Sequence, residues 1–401
     1  GTYQFRLTVT DNAGAIGTDE VSIVVKPAVA GGGGGGTGSG KTLKFDSYNN
    51  AYYPNGTGLD WKPGDTIYIP AGTYGLIDLG NIRGTAAQPI IITNRGGQVV
   101  LNQVRFNNKM ENFKFLGNGT PGVQYGFKID QKTEEISFAA TTVSNMEVAF
   151  VEVNKGAVGM MIKKNPVAGD ASTQYGAYTI RNIKVHHCYI HDTKTEGMYI
   201  GSTTPSGTAA GIPIRLENVE VSFNKLDRTG WDGIQMSSTL GSNSIHDNVV
   251  TNFGTLNYPA QQTGIAIGSA ATGDIYNNTI TNGTGWGINC MGFGTLKVYN
   301  NNIDGAGKNG SAKGAEGIYA DDRIAGPENF PKQQMIVTGN TIRNPQPKGA
   351  IRVGAYTNNS LPATVSNNRI YLPNAPSNWL TLYIVSNALG SILSNNVLIF
   401  Q

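Results

Sequence analysis

Val221-Ser-Phe-Asn224-Lys-Leu226, Ile245-His-Asp-Asn248-Val-Val250, Ile275-Tyr-Asn-Asn278-Thr-Ile280 and Val298-Tyr-Asn-Asn301-Asn-Ile303 are one frame written four times. An apolar residue is followed by two variable ones, Asn, one variable residue and a second apolar one. The frame returns around Asn340, Asn368 and Asn396, and upstream it holds Cys188 (Val185 to Ile190) and Val151 (Val148 to Val153) in place of Asn. From Cys188 the steps are 36, 24, 30, 23, 39, 28 and 28 residues. A constant frame with irregular spacing is the mark of a solenoid whose loops vary while its coils do not.

Each repeat carries another short strand introduced by glycine: Gly197-Met-Tyr-Ile, Gly233-Ile-Gln-Met, Gly264-Ile-Ala-Ile, Gly287-Ile-Asn-Cys and Gly317-Ile-Tyr-Ala. Strand alternation sends the apolar residues inward and the residue between them outward. Three short strands per coil, joined by tight turns, describe a right-handed parallel β-helix of roughly ten coils, an all-β fold. Its frame asparagines should stack inward at a bend and bond through their amides from coil to coil. Composition agrees: 54 of 401 residues are Gly, and only 14% are charged. That balance excludes a helical bundle, a coiled coil and a disordered chain.

This pattern resembles the asparagine ladder of pectate-lyase-like and polygalacturonase-like proteins over residues 41–401. Pro63-Gly-Asp-Thr-Ile-Tyr-Ile-Pro-Ala-Gly-Thr-Tyr and Pro89-Ile-Ile-Ile-Thr-Asn-Arg-Gly-Gly resemble the first coils of secreted polysaccharide-degrading β-helix proteins. Residues 1–26, from Gly1-Thr-Tyr-Gln-Phe-Arg-Leu-Thr-Val-Thr to Val21-Ser-Ile-Val-Val, read as a hairpin. They resemble the last hairpin of a PKD-like, immunoglobulin-like domain of bacterial surface proteins. Residues 27–40, with glycine unbroken from Gly31 to Gly36, read as a flexible linker. A chain that opens at Gly1 on part of a domain reads as an excised fragment that continues upstream. The resemblance implies a secreted or bacterial cell-surface protein whose partner is a polysaccharide. A net charge of +3 without a dense Lys/Arg cluster predicts no nucleic-acid partner. No apolar run approaches the length of a membrane span, and a monomer is expected. Cys188 and Cys290 should lie about 14 Å apart, three coils away from each other, too far for a disulfide.

Side chains at equivalent positions of a solenoid form rows. The outward row of the glycine strand reads Lys128, Met161, Tyr199, Gln235, Ala266, Asn289, Tyr319 and Arg352. The row before the glycine reads Val158, Glu196, Asp232, Thr263, Trp286 and Glu316, and the row two residues past the first includes Asp130, Lys163 and Asp321. Glu196 and Asp232, on adjacent coils, should sit about 5 Å apart. Paired carboxyls raise one another's hold on a proton, and this spacing suits a retaining glycosidase pair. They are the candidate catalytic residues for glycoside hydrolysis. The alternative reading is that both are turn residues bonded to strand-end amides. Lys194-Thr-Glu-Gly and Gly230-Trp-Asp-Gly resemble the acid-before-glycine motif of polygalacturonases, although Thr263 stands where those enzymes carry histidine and their Arg-x-Lys motif is absent.

Tyr199, Trp231, Gln235, Trp286, Asn289, Tyr319 and Arg352 are the candidate substrate-binding residues, since sugar rings pack on aromatics and amides bind hydroxyls. Glu316, Asp321 and Asp322 could bind Ca²⁺, although hydrolysis requires no cofactor. Two rivals remain open. One is a polysaccharide lyase using Ca²⁺ and a Lys or Arg base among Lys128, Lys163 and Arg352. The other is a non-catalytic carbohydrate-binding or adhesive solenoid. Residues 164–178 and 202–216 read as insertions on one face. At the C-terminal end, Trp379 or Phe400 is expected to plug the open cross-section, the alternative being a second chain stacked there.

Overall fold

The computed structural model describes residues 2–10, 16–24, 40–308, 316–346, 349–372, 384–387 and 390–400. The chain divides into two compact units, Gly1–Thr37 and Gly38–Gln401. In the first, Thr2–Thr10 and Ile16–Val24 pair antiparallel from Thr2 opposite Val24 to Thr10 opposite Ile16. Except for Gly40, the glycine-rich segment read as a linker lies outside the described residues.

The second unit is a right-handed parallel β-helix. Alternating residues such as Arg215–Ser222 and Lys225–Asp227 form the first two strands of a coil, and Ile234–Met236 forms the third. The third strands stack into a parallel sheet of twelve. The strands between them, two in most coils, belong to a larger sheet of 24 strands. Val221 pairs with Ile245, Ile245 with Ile275, and Ile275 with Val298, the register the repeated frame requires.

Inside, one narrow apolar column runs the length of the helix. In the early coils it is filled by Phe106, Phe113, Phe115, Phe127 and Phe138, all fully buried. Phe106 meets Phe113, Phe115 and Phe138 edge to face at 5.1–5.5 Å. Later coils use Ile, Val and Met, each worth roughly 1.5–3 kcal/mol on burial. The asparagines stack as expected. The Nδ2 of Asn224, Asn248, Asn278 and Asn301 each donates to Oδ1 of the next ladder residue at 3.0 Å, and Asn340 and Asn368 continue the chain at 2.9 Å. Cys188 begins the ladder by donating its backbone N–H to Asn224 Oδ1 at 3.0 Å. It and Cys290 are buried free thiols.

The glycine before the third strand of the middle coils has a steric cause. A Cβ on Gly197, Gly233, Gly264 or Gly287 would come within 2.5–2.7 Å of the carbonyl oxygen of the next coil's equivalent glycine. Coil stacking leaves no room there for a side chain. Gly264→Ala should therefore cost about 1–3 kcal/mol, read as a lower urea midpoint. An unchanged midpoint would mean that the coils can separate locally.

At the C-terminal end, Phe400 is 49% exposed beside the exposed Ile392, Leu393 and Val397, so it does not act as a plug. Trp379 lies outside the described residues.

Candidate functional site

The outer face of the twelve-stranded sheet holds the candidate rows. Met161, Tyr199, Gln235, Ala266, Asn289, Tyr319 and Arg352 are successive Cα partners across it, as their shared offset from glycine demands. Lys128 is not in that row. Phe127–Asp130 alternates like the others but belongs to the larger sheet, where Lys128 faces Glu152 with its Nζ 2.7 Å from Glu152 Oε1. Ala139 takes the position next to Met161. Asp130, expected beside Lys163, instead accepts from Asn154 Nδ2 at 2.7 Å.

Glu196 and Asp232 flank the row on adjacent coils, joined by the bond from Gly197 N to Asp232 O. Both side chains are buried, at 3% and 1% exposure. Asp232 Oδ1 accepts from the backbone N–H of Thr263 on the following coil at 2.5 Å, which is the amide-bonded role weighed as the alternative. Burial, the largest influence, pushes the Asp232 carboxyl up to about 7. The Thr263 hydrogen bond opposes the rise, and the neighbouring charge of Glu196 adds to it.

The aromatics separate into distinct groups. Trp231, half-buried, stacks on Tyr258 at 4.9 Å and 21°. Tyr258 lies in an insertion without a frame, so the repeat gave no sign of it, and it is 53% exposed. Trp286 stacks on Tyr319 at 4.9 Å and 13°. Tyr199 lies beneath Lys163, whose Nζ is 3.5 Å from the ring centroid, so one face of that ring is covered.

The three candidate Ca²⁺ ligands do not converge. Glu316 accepts from Trp286 Nε1 at 2.7 Å and lies 3.4 Å from Arg352 Nη1. Asp321 is held by Tyr319 Oη at 3.0 Å and by the Arg323 guanidinium. Asp322 accepts from the backbone N–H groups of Tyr356 and Thr357 and from Ser360 Oγ, at 2.7–2.9 Å. Among the described residues no cluster of three His, Cys, Asp or Glu side chains is placed to hold a metal ion.

Three buried oxygens on this face have no hydrogen-bond partner among the described residues: Gln235 Oε1, Asn289 Oδ1 and Ser237 Oγ. Unsatisfied buried acceptors are rare and costly, and here they share neighbouring rows with the carboxyl pair. Two insertions border the face. Those after Met160–Ile162 and Met198–Ile200 leave from the same sheet edge, as expected. The second is clamped by Arg215, whose Nε and Nη2 donate to Glu328 at 2.6 and 2.8 Å while Nη2 also reaches Pro205 O at 3.0 Å. This forked pair joins residues 113 apart in the chain, and nothing in the repeat pointed to it.

Residues 210–398 match the family model described as the right-handed β-helix region. No curated protein matches the sequence. Similar solved structures include an alginate lyase from Paenibacillus sp. str. FPU-7, at 15% identity and TM-score 0.43, covering 90% of this chain and 98% of that one. A pectate lyase, Pel9A, shares 15% identity at TM-score 0.45, with 91% and 80% coverage. A GH136 lacto-N-biosidase from Eubacterium ramulus shares 14% identity at TM-score 0.46, with 90% and 68% coverage. Among the described residues no helix is long and apolar enough to cross a membrane.

Proposed function

We propose that this right-handed β-helix is a secreted or surface-held protein that hydrolyses glycosidic bonds in a polysaccharide. The supporting observation is that two buried acids on adjacent coils, Glu196 and Asp232, lie at the edge of a face that carries unpartnered amide and hydroxyl oxygens. Asp232 retains its proton to about pH 7, so it can protonate the leaving glycosidic oxygen, and Glu196 supplies the nucleophile or base. Gln235, Asn289 and Ser237 accept from sugar hydroxyls, which gives their orphaned oxygens partners. Trp231, extended by Tyr258, offers an aromatic surface for a sugar ring.

The burial of both carboxyls favours a second reading, a solenoid that binds carbohydrate without cleaving it. One screen separates the readings. A polysaccharide panel is assayed for new reducing ends, for absorbance of unsaturated products and for bound polymer. Hydrolysis gives reducing ends without unsaturation, and Glu196→Gln should remove them. Unsaturated products would establish a lyase, and bound but uncut polymer would establish the binder.

A further inference from the structure

The turn that carries the asparagine ladder lies between the two strands of the larger sheet, away from the row of Glu196 and Asp232. In the early coils it opens into a cavity of about 550 Å³ whose wall includes Tyr125, Phe150, His187, Phe223 and Lys225. Phe150, His187 and Phe223 occupy one turn position on three successive coils. Their rings stack with centroids 5.2 Å apart at both steps, tilted by 28° and 22°.

Turn geometry does not account for these rings. All three residues have positive φ, 58°, 53° and 55°, and later coils place Asp247, Asn277, Asn300, Gly339, Asn367 and Asn395 at the equivalent left-handed position. Asn, Asp, Gly and His tolerate that conformation, whereas the bulky Phe150 and Phe223 there are strained. Core packing does not account for them either, because Phe223 is 51% exposed. Burial, with His186 and Lys184 nearby, holds the His187 imidazole below its ordinary pKa. No carboxylate lines the cavity among the described residues, and Lys225 is its lysine. The Lys225 Nζ is fixed over the Tyr189 ring at 4.8 Å.

We infer that this cavity is a second glycan site, separate from the carboxyl pair, that takes a carboxylate-bearing sugar of an acidic polysaccharide. The apolar face of the pyranose packs on Phe223 and the stack beneath it, and the sugar carboxylate meets the Lys225 ammonium. The exposed apolar patch thereby acquires a partner of matching shape and charge.

The test is calorimetric titration of the full chain with an oligogalacturonate hexamer and with cellohexaose, in a Glu196→Gln background so that turnover cannot consume the probe. The hexauronate should bind and cellohexaose should bind far more weakly. Phe223→Asn, which installs the residue used by later coils, and Lys225→Gln should each weaken hexauronate binding by about fivefold or more. The melting temperature of Phe223→Asn should stay level or rise, because the left-handed strain is relieved. The inference is overturned if the parent does not bind the hexauronate, if both variants bind like the parent, or if cellohexaose binds as tightly. None of these readouts depends on glycoside hydrolysis, so they stand apart from the test of the carboxyl pair.

Discussion

Asp232→Asn should abolish hydrolysis, a loss on the order of 10²–10⁴-fold, and at the same time make the protein more stable in mild alkali. The two effects share one cause. Burial and Glu196 raise the folded-state pKa of Asp232 from 3.8 to about 7. Between those values the folded state binds a proton that the unfolded state has released, so stability falls as pH rises through the window. Below pH 4 both states hold the proton and nothing is lost. Above pH 7 the wild type carries a buried carboxylate, at a cost on the order of 4 kcal/mol. Asparagine is neutral throughout and keeps an oxygen for the Thr263 N–H. Urea unfolding of both proteins at pH 4 and pH 8 should therefore give near-equal stabilities in acid and a more stable variant in alkali. Parallel pH profiles would sink the protonated-acid role, as would activity that survives the substitution. Where wild-type hydrolysis is measurable, it should decline as pH rises through about 7, because the acid loses its proton.

The largest purely structural effect is expected at the middle of the ladder. Asn301 Oδ1 accepts from the backbone N–H and the Nδ2 of Asn278, both at 3.0 Å. Asn301 Nδ2 donates to Ile275 O at 3.0 Å, Tyr299 O at 3.2 Å and Asn340 Oδ1 at 3.0 Å. Asn301→Ala removes all of these and leaves buried donors and acceptors from three coils unpaired. Each such group costs about 1–3 kcal/mol, so a destabilisation of about 4 kcal/mol or more is expected. Asn396 is only partly buried and sits on the last described rung, where water can replace the lost bonds. Asn396→Ala should cost about 1 kcal/mol. Equal midpoints for the two variants in urea would show that the ladder is not what holds the coils in register.

How far the site could be read from the chain depends on the kind of relation involved. The adjacency of Glu196 and Asp232 was legible because both stand one residue before the glycine that opens the third strand, and the coil step converts equal offsets into neighbours. The same rule failed for Lys128. Phe127–Asp130 alternates like a third strand, and nothing within it distinguishes a strand of one sheet from a strand of the other. Tyr258 and Glu328 lie in insertions that share no frame, so their contacts with Trp231 and Arg215 could not be counted out along the sequence.

The amino-acid order alone determined the solenoid, its asparagine column, and the inward and outward residues of each strand. These follow from a side-chain period of two and a repeated offset, both local properties of the chain. Only the tertiary structure decided that Asp232 is sealed at 1% exposure with a carboxyl pushed up to about 7. It alone showed that the candidate Ca²⁺ ligands are drawn to separate partners, and that Phe150, His187 and Phe223 close into one stack beside Lys225. Burial depth, proton affinity and partner choice depend on atoms contributed by neighbouring coils and insertions, at distances the repeat does not encode.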